Sequence, residues 1–129
     1  MGPMMDAASR SEHRNASDIA EAIRAATRSH VRGALEGLIS GFEPMDIAYA
    51  MAELTSDERS AVFALLDSEA SGVVLEEVHD DITVDLAEET EEGELAEIID
   101  AMPPDSGADA VNLLPEERKH RILNRIQRD

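Results

Sequence analysis

The chain has no cysteine and no tryptophan, and its aromatic residues are Phe42, Tyr49 and Phe63 alone. Without cysteine there is no disulfide framework, no thiolate metal site and no thiol nucleophile, a composition that suits a reducing compartment. Without aromatics the core falls to Ala, Val, Leu, Ile and Met, which favours helix packed on helix. Long apolar runs are missing too. The longest, Ala61 to Leu66, falls far short of the roughly 20 residues that span a bilayer as a helix. No basic n-region followed by an apolar h-region opens the chain, so a secretory signal is not expected. Basic residues are scarce where acids are dense. Residues 1–41 balance five acids with five Lys or Arg, residues 42–114 carry twenty-one acids against Arg59, and residues 115–129 carry three acids and five bases. A net charge of −18 so distributed lacks the basic footprint of a nucleic-acid binder and is repelled by an anionic membrane surface. It favours cations or a basic protein surface as partners.

Catalytic signatures are equally lacking. His13, His30, His79 and His120 lie far apart with no ligand-like spacing, and there is no P-loop, dinucleotide fingerprint or nucleophile elbow. His79 falls at a turn, as a cap or an exposed side chain. Carboxylates abound, but in so acidic a helical chain their pairing says nothing about acid–base catalysis. The expectation is a protein that is not an enzyme.

What the chain does have is a beat of twelve residues from Met45 to Ile126. Each unit closes on one position, occupied in turn by Leu54, Leu66, Val78, Thr90, Met102, Leu114 and Ile126; Thr90 alone is polar. Three and four residues earlier comes a pair such as Val62-Phe63, Val74-Leu75 or Ile98-Ile99. That triplet is the stripe of a short amphipathic helix. A turn or cap residue follows most closing positions: Thr55, Asp67, His79, Glu91, Pro103 and Pro115. One helix of such length cannot bury its stripe alone, but stacked neighbours bury a continuous seam, the logic of an α-solenoid. The expected fold is all-α, a superhelix of short antiparallel helices with a period of about twelve residues.

In chain order, residues 1–14 read as a disordered tail and residues 15–129 as one helical domain. A first pattern runs from Asn15 with Ser17 as N-cap; Arg28-Ser29-His30 would break it, with Ser29 capping the next piece. Gly33 and Gly37 read as helix-interior glycines allowing close helix contact, and Gly41 as a C′ glycine. Pro44 starts the next helix. Thr55-Ser56-Asp57-Glu58 reads as a capping box. Ser68 is the expected cap of the following helix, and Asp80-Asp81 open another with acids facing its dipole. Residues 80–100 hold ten acids and no Lys or Arg. That run reads either as a solvated face with first-turn charge placement or as a diffuse cation-attracting surface. Gly93 is expected to loosen its turn. Pro103-Pro104 and Pro115-Glu116-Glu117 each stop one helix and start the next. The last helix carries Arg118, Lys119, Arg121, Arg125 and Arg128, read either as a complement to helix dipoles and acidic neighbours or as a docking face for a following domain.

One carboxylate pair stands apart. Asp105 and Asp109 are four residues apart, opposite Ala110, Val111 and Leu114 at about 100° per residue. Two like charges on adjacent turns repel by a few tenths of a kcal/mol. A hard divalent cation would remove that penalty, and Mg²⁺, which keeps most of its waters, needs only one or two carboxylates. The other reading is that Asp105 is a first-turn acid favoured by the dipole and Asp109 a solvated side chain.

Phe42-Glu43-Pro44-Met45-Asp46-Ile47-Ala48 with Ala52-Glu53-Leu54 resembles the opening of the cytosolic N-terminal domain of MgtE-type magnesium transporters. The likeness continues through Asp57-Glu58-Arg59, Leu65-Leu66 and Val74-Leu75-Glu76-Glu77-Val78, then Glu94 to Asp105, Ala108 and Asp109. It implies a right-handed superhelix that sits in the cytoplasm, on the cytosolic side of the membrane, ahead of paired CBS domains and a transmembrane pore. It implies Mg²⁺ held weakly, at an interface with a partner domain, with Asp105 and Asp109 as the acids on this side. A further acidic position of the family falls on Val73, which cannot ligate. With neither CBS nor membrane segment, the chain reads as an excised domain or a freestanding relative. Two functions are therefore carried forward: a Mg²⁺-sensing regulatory domain that gates by docking to CBS domains, and an acidic helical protein-interaction scaffold with no metal role.

Overall fold

The computed structural model describes residues 16–127, so the tail expected at residues 1–14 lies outside the described residues. Among the described residues there are nine helices and no strand. They are α1 (Ala16–Arg28), α2 (Ala34–Ile39), α3 (Pro44–Met51), α4 (Ser56–Phe63), α5 (Ser68–Glu77), α6 (Asp80–Glu88), α7 (Glu92–Ala101), α8 (Pro104–Asn112) and α9 (Glu116–Gln127). From α3 onward every helix begins twelve residues after the one before it. The turn residues read from the sequence are the N-caps: Thr55, Asp67, His79, Glu91 and Pro103 precede α4 to α8.

Local chemistry sets these starts. Glu58 N–H donates to Thr55 Oγ1 at 3.2 Å while Glu58 Oε1 accepts from Thr55 N–H at 2.9 Å, the expected capping box. Pro44 and Pro104 occupy the first turn, where a missing N–H costs nothing. Ser68 is not the cap of α5. Asp67, one residue earlier, accepts from Ala70 N–H at 2.8 Å and leaves Ser68 as the first helical residue. The break after α1 falls at Arg28 as expected, but Ser29 closes a turn, accepting from Val31 N–H at 3.0 Å, and does not cap α2. Ser17 lies inside α1.

Gly33 and Gly37 differ from expectation. Gly33 precedes α2 with φ of 79°, the one left-handed glycine among the described residues. Gly41 follows the C-cap Ser40 and so holds the C′ position expected of it, but without a left-handed conformation. Gly37 makes no close helix contact, since a Cβ there would meet nothing within 4 Å. Gly93 is helical, in the first turn of α7, and the Arg125 guanidinium lies 3.4 Å from where a Cβ would stand.

Each odd-numbered helix packs on the next odd-numbered one, α1 on α3, α3 on α5, α5 on α7 and α7 on α9. The even helices form a second row in which α4 packs on α6, α2 on α1, and α8 on α5, α7 and α9. This stacking is compatible with the expected superhelix. The buried positions give a longer repeat than the sequence reading found. In α3, α5 and α7 the residues four, five, seven and eight after the N-cap are all buried: Ile47, Ala48, Ala50 and Met51, then Ser71, Gly72, Val74 and Leu75, then Leu95, Ala96, Ile98 and Ile99. In the even helices the position five after the N-cap is not buried: Ser60 and Val84 are half-buried and Ala108 is exposed. The unit is thus two helices and twenty-four residues, with small Ala48, Gly72 and Ala96 letting the odd helices approach.

Three of the arginines meet carbonyls at helix ends. Arg59 donates to the Met51 carbonyl at 2.8 Å and Arg24 to the Glu53 carbonyl at 2.6 Å, both at the C-terminal end of α3. Arg118 reaches from α9 to the carbonyls of Ala87 and Thr90 at the end of α6. Cations there oppose the negative pole of the helix. Thr90, the polar closing residue, donates to the Leu86 carbonyl at 2.8 Å, so its hydroxyl is satisfied. No helix among the described residues is long and apolar enough to cross a membrane.

Candidate functional site

Pro103 and Pro104 fix the entry to α8, and Gly107 N–H donates to the Pro103 carbonyl at 2.8 Å. Gly107, Ala110 and Val111 are the buried face. A Cβ on Gly107 would sit 3.2 Å from the Ile99 carbonyl oxygen, so glycine lets the α8 backbone lie directly against the end of α7. That seating turns the opposite face outward. Asp105, in the first turn, and Asp109, one turn on, are both exposed, as their spacing predicts.

The same seating brings α8 to α5. Ser106 donates its hydroxyl to Glu76 Oε2 at 2.8 Å, across thirty residues of chain. This places an exposed carboxylate near the first turn of α8. Sequence reading gave Glu76 no role, because nothing local marks a contact made between helices. Val73, where the family's further acid would fall, is half-buried on α5, three residues before Glu76.

The donor set has a definite chemistry. Asp105 and Asp109 offer hard carboxylate oxygens with Cβ atoms about 5–6 Å apart, the i,i+4 separation. Among the described residues no three His, Cys, Asp or Glu side chains converge as a cage for a metal ion. Such a pair suits Mg²⁺, which accepts one or two carboxylates and fills its octahedron with water, and does not suit Zn²⁺, which takes nitrogen and sulfur ligands in a closed tetrahedron.

The acidic run at residues 80–100 divides by use. Asp80 and Asp81 sit in the first turn of α6. Asp85 accepts from the Ser56 hydroxyl, and Glu92 pairs with Arg121 of α9. Glu91, Glu94, Glu97 and Asp100 line a cleft of about 570 Å³ between α7 and α9, together with Arg125. Arg118 and Arg121 thus turn toward their own protein's carbonyls and acids, which favours the pairing reading of the basic helix. His30, His79 and His120 are exposed; His120 lies 3.4 Å from Glu116, and His79 stands at the N-cap of α6 without a side-chain capping bond. His13 lies outside the described residues.

One carboxyl has a shifted titration. The Thr55 backbone N–H, with the Arg24 guanidinium 3.4 Å away, holds Glu58 below the ordinary carboxylate value of 4.5. This group belongs to the α4 cap and stands apart from Asp105 and Asp109.

Residues 42–129 match the family described as MgtE intracellular N domain. No curated protein and no solved structure matches the chain.

Proposed function

The chain belongs to the MgtE intracellular N domain family, related to magnesium transporters, and from that premise we propose that it is a Mg²⁺-sensing regulatory domain working from the cytosolic side. Its Mg²⁺-dependent docking to CBS domains would gate a transmembrane pore. The observation that carries this reading is the exposed Asp105–Asp109 pair on α8, inside the matched stretch and turned away from the core. These two side chains would hold the ion from this side, and a partner domain would close the remaining positions or bridge through water. Mg²⁺ would supply charge there, relieving the repulsion between the two carboxylates and the repulsion that an acidic partner surface would feel. Glu76, tied to Ser106, adds negative charge on the α5 side, three residues after Val73.

Occupancy of such a site stabilises the fold by RT ln(1 + [L]/Kd), about 2.7 kcal/mol at a hundredfold excess over Kd. General screening must be subtracted, because exposed charges respond to any salt. The test is a thermal melt in MgCl₂ against NaCl at matched ionic strength, repeated on Asp105→Asn/Asp109→Asn. A larger shift in Mg²⁺ that the double variant lacks supports the reading. Equal shifts in all cases refute a specific site in this chain.

A second reading, an acidic scaffold without a metal role, rests on the charge of residues 42–114 and on the lack of a three-ligand cage among the described residues. Partner capture that is unchanged by chelator would favour it.

A further inference from the structure

The twelve-residue register fails at one place. Counting back from Pro44, a helix should begin at Arg32, yet α2 begins at Ala34, after the left-handed Gly33, and runs for only six residues. It packs on α1, while α4 packs on α6 and α1. α2 and α4 make little contact with each other. Two neighbouring hollows of about 510 and 300 Å³ lie between these helices, both lined by Glu36 and Leu65. Their floor is apolar, with Leu35, Phe42, Leu65 and Leu66. Val31 at one end is 69% exposed and Leu65 is 37% exposed, two of the four large hydrophobic residues left exposed among the described residues. The ionisable side chains lining the hollows are Glu36 and Asp67, and no Lys or Arg lines either one.

We propose that this groove, remote in sequence from Asp105 and Asp109 and independent of the metal reading, docks a basic amphipathic segment of another protein. The occupant takes the place in the second row that α2 is too short to fill. It puts two or three apolar side chains at helical spacing onto Leu35, Leu65 and Leu66, and Lys or Arg toward Glu36 and Asp67. Helix-in-groove recognition works in this way. The charge chooses among occupants. A second copy carries the same net charge of −18, and an anionic lipid surface is repelled likewise, whereas a cationic segment is steered in by the acids of residues 42–114.

Two synthetic peptides of equal length and equal lysine content provide the test, one a Leu/Lys amphipathic helix and the other with serine in place of each leucine. Binding to the full chain is followed by calorimetry and amide NMR at about 0.15 M salt, where long-range charge effects are screened. The Leu/Lys peptide is expected to bind roughly tenfold tighter or more, as burial of one leucine side chain implies. Its shifts should centre on α2, Phe42 and Leu65. Leu65→Glu, at an exposed position, should remove the advantage, and Glu36→Lys should weaken it while melting stays unchanged. Equal binding of the two peptides overturns the proposal. So do shifts centred on residues 80–100, retained preference in both variants, or a concentration-dependent dimer that closes the groove.

Discussion

Gly37, Gly72 and Gly107 are all helical, yet their environments give opposite consequences for the same substitution. Gly37→Ala adds a methyl into open space and removes the entropic penalty of glycine, so it should stabilise by about 0.5–1 kcal/mol in a denaturant titration. Gly107→Ala gains the same propensity but drives its methyl to 3.2 Å from the backbone oxygen of Ile99, which cannot yield without moving α7. A net loss of about 1 kcal/mol or more is expected, in the range of overpacked cores. At Gly72 the close neighbour is Met102 Cγ at 3.0 Å, the flexible part of a side chain, so alanine there should be tolerated better than at Gly107. A glycine in a helical stretch of sequence reads only as a local cost; whether it serves a contact depends on which helix lies against it, and that was not legible. Asp105 and Asp109 were legible, because their outward direction follows from position on one helix. Glu58 is a residue-scale case with a pH signature. Its folded pKa is lowered, so its stabilising contribution is complete above the ordinary value of 4.5 and is lost as pH falls below it. Glu58→Gln keeps a capping side chain but not the charge facing Arg24. The stability difference between the two proteins should shrink as pH drops below 4.5, and a difference that is flat with pH would contradict the assignment.

At the scale of the element, helix starts were the most legible feature of the chain. Thr55-Glu58, Pro44 and Pro103-Pro104 act within a few residues, so their chemistry can be read without knowing the neighbours. Thr55→Ala should cost about 1 kcal/mol through the lost cap. Helix ends were less legible. Arg118 finds the Ala87 and Thr90 carbonyls from about thirty residues away, and Arg24 finds Glu53 across twenty-nine. A basic helix face in sequence does not say which carbonyls it meets. Arg118→Met keeps much of the side chain's bulk and removes the donors, so two carbonyls lose charged partners. The expected cost is about 1.5–3 kcal/mol, with faster amide exchange in α9 and at the end of α6. Unchanged exchange there would mean that the guanidinium is held by solvent instead. The twenty-four-residue unit stayed hidden for a related reason. The apolar triplet recurs from α3 onward, whereas burial five residues after the N-cap alternates from α3 to α8, and at that position small Gly72 looks like a surface residue.

For the whole molecule the dominant fact is charge. Residues 42–114 carry twenty-one acids, and Arg59, their only cation, is committed to the Met51 carbonyl. Self-repulsion of this kind weakens the compact state and is relieved by salt. Raising NaCl from about 10 to 150 mM shortens the Debye length from about 30 to 8 Å and should raise the melting temperature. Specific action of Mg²⁺ must appear beyond that background, and the family to which residues 42–129 belong gives the setting in which to look for it. The most direct measurement is calorimetry of this chain titrated with a CBS-domain pair from an MgtE-type transporter, in Mg²⁺, in chelator, and with Asp105→Asn/Asp109→Asn. Association is expected in Mg²⁺, abolished by chelator and weakened at least tenfold, about 1.4 kcal/mol, in the double variant. Association of equal strength in all three conditions would contradict it.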